Sequence, residues 1–315
     1  MNETNRLFSI IIPSYKRHYL DEAIKSIVSQ TYDNWELIVV NDCSPEDIDA
    51  VVKPYMEDSR IRYYVNEHNF GSERLCENWN NCLRYCNGDY VICMGDDDRL
   101  TPICLEEYTR LIDKYPHAEV FHGQTEVIDE NGNVCELMEP RFEHETALQL
   151  IYYRWAGLGR QQFIGDFCYK KEPLVKRDGF YNLPLAWGSD DISAVIAATA
   201  CGIANTEKIC FQYRKNRFSI SSDTNNKRKA DALMMQREWY DSYFRGYITY
   251  TKQENVTLAL LKEIMPMHFE AHINELMRMD MCRGKCNVFY WLKNRKKYKI
   301  TTGQILFQLL KSLKK

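Results

Sequence analysis

No acidic residue follows Asp280, while ten lysines and arginines lie between Arg283 and Lys315. The last 35 residues therefore carry +10 and the first 280 carry −13, behind a formal net charge of −3. Segregation of this kind predicts an anionic contact at the C-terminal end. The acidic body excludes nucleic acid as the main partner. The 12 cysteines contain no CxxC pair, and Cys93, Cys104, Cys201 and Cys210 lie in apolar runs. This excludes a disulfide framework and predicts reduced, mostly buried thiols of a cytosolic protein. Cys282 and Cys286 lack the further ligands a metal site needs. No apolar run reaches the ~18 residues of a membrane span. Met1–Arg6 is polar and too short for an apolar leader core, so a cytoplasmic location is expected. No GxGxxG follows a strand, which argues against a dinucleotide dehydrogenase. PSYKRHYL (13–20) has no glycine, where a nucleotidyltransferase would want a glycine-rich loop after its first strand. There is no internal repeat.

Apolar residues make up 45% and charged residues 27% of 315, a globular composition. The length suits one large α/β domain with a helical appendage. Phe8–Pro13, Trp35–Val40, Ile61–Val65 and Tyr90–Met94 read as strands, joined by helices near Tyr19–Gln30 and Arg74–Tyr85. Ser44, Pro45 and Asp47 read as the cap, first turn and capping-box partner of a helix between the second and third strands. Further strands are expected at 119–127, 165–169 and 209–213, and a helix at 192–200. Alternation at this spacing implies a parallel, doubly wound sheet. From about Lys227 the pattern is helical, with Leu258, Leu261, Ile264 and Met265 on one face. A polar run near residue 225 divides a first domain, 1–225, from a helical region, 226–315.

Three acidic clusters stand out. Doubly wound sheets bind ligands beyond the carboxyl ends of their strands, where Asp42 and Asp96–Asp98 fall. Consecutive carboxylates repel one another, and a divalent cation relieves the repulsion. Magnesium and manganese accept carboxylates together with phosphate oxygens. A solvated turn with capping aspartates is the plainer alternative, but the end of a central strand favours metal. Asp42 suits either a nucleotide hydrogen bond or a turn cap. Trp187-Gly188-Ser189-Asp190-Asp191 suits either helix capping or a general base beside an aromatic sugar wall.

The order PSYKR, VVNDCS, GDYVICMGDDDRLTP, WGSDD and YRKNRFSIS resembles the inverting family 2 glycosyltransferases over about residues 7–222. The resemblance implies a GT-A-type, Rossmann-like doubly wound mixed sheet with a C-terminal helical extension. It implies nucleotide contacts from Pro13, Tyr15, Asp42 and Asp96. It implies a Mn²⁺ or Mg²⁺ held at the DxD motif, with Asp97 as the direct ligand and Asp96 beside it. Asp191 takes the place of the family's catalytic base and Asp190 that of the glutamate before it. The implied reaction passes a sugar from a nucleotide-sugar, UDP-linked by expectation, to a glycan or polyprenyl-linked acceptor in surface polysaccharide synthesis.

Three positions depart from the family pattern. Gly95 stands where the first DxD aspartate is usual. Asn78-Trp79-Asn80 replaces Ala-Arg-Asn. Asn216 replaces a histidine, leaving Arg214, Lys215 and Arg217 as phosphate contacts. These departures keep open a glycosyltransferase-like protein that binds glycans or partners without catalysis. In the basic tail, Ile305, Leu306, Leu309, Leu310 and Leu313 form a helical stripe. Such a stripe packs on protein or lies on anionic lipid, where each cation adds ~1 kcal/mol before screening.

Overall fold

In the computed structural model, described for residues 6–157, 159–216 and 225–313, the first strands form where apolar runs are unbroken. β1 (Phe8–Ser14), β2 (Trp35–Asn41) and β4 (Tyr90–Cys93) are buried almost throughout, and β3 (Ile61–Val65) is partly so. A strand buried on both faces reads as continuous hydrophobicity rather than alternation. β3, β2, β1 and β4 pair in that order, all parallel. Their helices, α1 (Leu20–Val28), α2 (Ile48–Val52) and α3 (Leu75–Leu83), follow the strands as the alternation predicts. The cap of α2 differs from expectation. Asp47, not Ser44, accepts from the Ala50 amide at 3.0 Å, whereas Ser44 Oγ donates to the Tyr15 carbonyl at 2.6 Å.

Beyond β4 the sheet is mixed, so an all-parallel sheet holds only for its first half. β9 (Phe167–Lys170) runs antiparallel between β4 and β6 (Val120–Ile128). β10 (Ile203–Arg214) is parallel to β6 and antiparallel to the short β5 (Arg99–Leu100). β7 (Val134–Leu137) and β8 (His144–Glu145) pair with β6 and β10. α4 (Cys104–Lys114), α5 (Ala147–Trp155), α6 (Lys171–Lys176) and α7 (Ser189–Ala198) complete this part. All 12 cysteines are free, and seven are buried. Cys201 is exposed, against expectation, because it lies just past the end of α7.

The chain divides into two compact units, Met1–Asn182 with Ser189–Arg217, and Leu183–Gly188 with Phe218–Lys315. The short stretch 183–188 therefore belongs with the helices and not with the first 225 residues. Gln236 Nε2 donates to the Trp187 carbonyl at 2.7 Å, and the Lys229 ammonium sits 4.2 Å from the centre of the Trp187 ring.

The helical unit holds α8 (Asn226–Gly246), α9 (Lys252–Arg283), α10 (Asn287–Lys293) and α11 (Thr302–Leu313). α9 opens with a Thr251/Glu254 capping box and carries Pro266 inside it. Leu258 and Leu261 are buried as expected, while Ile264 and Met265 are only half-buried. Asp280, the last acid, is consumed internally: its Oδ2 accepts from Trp291 Nε1 at 2.9 Å in a buried bond. No helix of the described residues is long and apolar enough to cross a membrane.

Candidate active site

The candidate site begins where β1, β2 and β4 end side by side. The Asp42 amide donates to the Ser14 carbonyl at 2.8 Å. Ser14 Oγ and the amides of Tyr15 and Lys16 donate to Asp96 Oδ2 at 3.3, 2.7 and 2.8 Å. The loop after β1 thus ties the second acidic cluster to the first. Asp42 is itself almost buried. Its carboxylate accepts from Asn66 Nδ2 at 2.9 Å, the Phe70 amide at 3.0 Å, and Asn69 Nδ2 and the Gly71 amide at 3.3 Å. Asn78 of the α3 segment accepts a second hydrogen from Asn66 Nδ2 at 3.0 Å. One departure from the family pattern therefore supports the residue that orders the 66–71 loop.

The three consecutive aspartates diverge in role. Burial and the neighbouring Asp97 charge push the Asp96 carboxyl up to about 6, opposed by the Lys16 and Tyr15 amides. Burial, reinforced by the charge of Asp97, pushes Asp98 well above the usual carboxylate range, and its Oδ1 accepts from the Arg214 amide at 2.9 Å. Asp97 Oδ2 accepts from Asn216 Nδ2 at 2.7 Å. Gly95 has a steric reason. A Cβ there would lie 2.8 Å from Asp97 Oδ1 and 2.9 Å from Asp98 Oδ2. An aspartate at this position would require the carboxylates of Asp97 and Asp98 to shift.

Arg214 does not stand ready for a phosphate. Its side chain is fully buried, and Nη2 pairs with Glu22 at 2.6 Å. Nε donates to the Asp97 carbonyl at 2.8 Å, and Nη1 donates to the carbonyls of Asp129 and Glu130 at 3.3 Å. The guanidinium braces the acidic loop from inside the fold. Arg217 lies outside the described residues. Tyr15 is 42% exposed at the loop, and Pro13 sits in register with Val40 at the strand end.

The third cluster opens α7. Asp190 Oδ1 accepts from the Asp191 amide at 3.0 Å. Burial and the charge of Asp191 raise the Asp190 carboxyl above its usual range. Asp191 Oδ1 takes Arg154 Nε at 3.3 Å, and with its amide oriented nitrogen toward Asp191, Gln162 donates to Asp191 Oδ1 and accepts from Arg141 Nη1 at 3.1 Å. The turn Ile164–Asp166 lies against the segment that leads into the acidic loop. A Cβ added at Gly165 would lie 3.1 Å from that of Met94, the residue before Gly95. Behind the turn, His122 Nε2 and Asp166 Oδ2 are 3.4 Å apart and both residues are buried. Burial raises Asp166 well above and lowers His122 well below the usual values, which favours the uncharged form of each.

The model for glycosyl transferase family 2 matches residues 9–168, from β1 into β9. The chain belongs to that family. As a glycosyltransferase it is 29% identical over 240 residues to WfgD of Escherichia coli, a UDP-Glc:alpha-D-GlcNAc-diphosphoundecaprenol beta-1,3-glucosyltransferase. The match spans 74% of this chain and 84% of that protein. Staphylococcus aureus TarS 1-349, in complex with UDP-GlcNAc, superposes with a TM-score of 0.62 at 16% identity, covering 96% of this chain and 89% of that one. The mannosyltransferase PcManGT of Pyrobaculum calidifontis, in complex with GDP-Man and Mn2+, superposes with a TM-score of 0.56 at 13% identity, covering 98% and 87%. These likenesses establish the GT-A fold.

Sequence reasoning missed Arg154, Gln162 and Arg141 around Asp191. One signal was available. Thr146 and Gln149 form a capping box that announces α5, which ends in the turn carrying Arg154. For Gln162, between α5 and β9, and Arg141, between β7 and β8, the irregular segments offer no periodicity to read. Among the described residues, no group of three His, Cys, Asp or Glu forms a ready metal site, the Cys282 and Cys286 region included.

Proposed function

We propose that this glycosyltransferase moves a sugar from a UDP-sugar to a glycan or polyprenyl-linked acceptor with inversion, in surface polysaccharide synthesis at the cytoplasmic face of a membrane. The observation that carries the reading is the junction of Asp42, Ser14 and Asp96 at the carboxyl ends of three adjacent parallel strands, with Asp97 next in line. The name of WfgD supports a UDP-sugar and a diphosphoundecaprenol acceptor. The complexes of TarS and PcManGT support a nucleotide-sugar and a divalent ion on this fold.

The donor set fits a cation that arrives with its substrate. Asp96 and Asp98 are turned onto backbone amides, which leaves Asp97 as the principal ligand. One carboxylate with diphosphate oxygens is a common environment for Mg²⁺, and the chemistry extends to Mn²⁺. When bound, the ion neutralises charge on the leaving diphosphate. The chain's own groups do the rest. Asp42 and the 66–71 loop hold the nucleoside, and Tyr15 borders it. Asp191 accepts the proton of the acceptor hydroxyl, and Arg154 and Gln162 fix the position of its carboxylate.

UDP release from UDP-glucose and UDP-N-acetylglucosamine, with and without Mn²⁺, tests the reading. Slow hydrolysis of one donor that vanishes in Asp191→Asn is expected. Binding without turnover, even with a polyprenyl-linked acceptor present, would instead favour a non-catalytic binding protein.

A further inference from the structure

α11 is built with its apolar face outward. Its buried positions are Ile305, Gln308 and Ser312. Leu306, Phe307, Leu310 and Leu313 are 47%, 54%, 61% and 59% exposed. Positions 306, 310 and 313, with 307 beside them, share one helical face. Polar contacts pin the inner side: Lys285 donates to Ser312, and Gln304 Nε2 donates to Glu270 at 2.7 Å. A helix held by packing alone would turn its leucines inward. The preceding α10 carries Phe289 at 71% exposure, Lys293 and Lys296 are exposed, and the Lys311 ammonium lies 4.7 Å from the centre of the Phe307 ring.

We propose that this face seats on an anionic lipid surface, with the outward side chains of α11 entering the boundary between headgroups and acyl chains. Charge selects the occupant. Residues 281–315 carry ten basic and no acidic side chains, so a second copy docked through the same segment would set like charge against like. A free soluble anion would engage the lysines and leave the four apolar side chains in water. A bilayer with anionic headgroups satisfies both. The proposal does not rest on the transfer reading.

Flotation of the full chain with vesicles tests it. Binding is expected to phosphatidylcholine mixed with phosphatidylglycerol, and not to phosphatidylcholine alone. Added salt should weaken it. The pair Leu306→Asp with Leu310→Asp should lower partition at least about tenfold at unchanged Tm. Lys293→Glu with Lys296→Glu, outside α11, should weaken the charge-dependent part. Leu137→Asp, equally exposed on β7, should leave binding intact. Absence of binding to the mixed vesicles, or binding indifferent to the leucine pair, overturns the proposal. So does a leucine pair that converts an oligomer to a monomer without changing flotation, which would assign the face to a second copy. UDP release from soluble donor should be the same in all these variants, so either reading can fail alone.

Discussion

Asn216 holds Asp97 by a 2.7 Å hydrogen bond from its amide to Oδ2, at the position where the family pattern carries a histidine. The amide carries no charge and aims the carboxylate rather than neutralising it. Asn216→Ala should therefore leave the fold intact and loosen Asp97. The expected loss in UDP release is about tenfold, the lower end for a group that orients a metal-binding carboxylate. The concentration of Mn²⁺ needed for half-maximal rate should rise. Asn216→His should retain activity. A metal titration of the three proteins checks this, and an alanine variant with unaltered metal dependence would remove Asn216 from the site.

Gly95→Ala tests why the acidic motif is shifted along the chain. The added Cβ would sit at 2.8 and 2.9 Å from carboxylate oxygens of Asp97 and Asp98. Asp98 is buried and bonded to the Arg214 amide, so it has little room to yield. Overpacking of this sort costs about 1–3 kcal/mol. The Tm should fall, and activity should fall further than the Tm alone accounts for, because Asp97 must swing. A variant with full activity and wild-type Tm would show that the loop relaxes freely.

Arg154 is expected to act through Asp191. Its charge also opposes the rise of the Asp190 carboxyl. Removing it raises that carboxyl further, so the acid limb of the pH–rate profile should move to higher pH in Arg154→Ala. The rate should drop more than KM for the donor rises, since the Arg154 contact is to the proposed base. Arg154→Lys, which keeps the charge, should restore the acid limb better than the rate. A profile that does not move would leave the 3.3 Å contact a packing detail.

The sequence reveals those elements whose burial is uniform. β1 and β2 are continuous apolar runs, and their residue ranges are recovered to within one position. β10 is read only as 209–213 because its Ile203–Arg214 span carries exposed Glu207 and Lys208, with register shifts against β6 between Asn205 and Phe211. β9 is four residues long, too short to show its antiparallel direction. The positions of Asp42, Asp96 and Asp97 at the strand ends are legible, because the strands themselves are. The internal use of Arg214 is not, because it depends on Glu22 and on carbonyls about 85 residues away in the chain. The stripe on α11 is legible as a stripe, but which side faces inward depends on Lys285 and Glu270.

Asp96 supplies a pH test that needs no substrate. Burial and the Asp97 charge push its carboxyl up to about 6 in the folded chain, above its ordinary 3.8. A carboxyl raised on folding favours the folded state while it is protonated. That contribution is complete below about pH 4 and is lost as pH rises through about 6. Asp96→Asn cannot ionise, yet its amide oxygen can still accept from the Tyr15 and Lys16 amides. The two proteins should therefore have similar Tm at pH 4, and the asparagine variant should become the more stable between pH 4 and 7. The measurement requires chelator, because a divalent ion at Asp97 would favour the ionised form and reverse the trend. A Tm difference that stays flat across this range would mean that Asp96 is already ionised at pH 4, and that the amides of the β1 loop outweigh its burial.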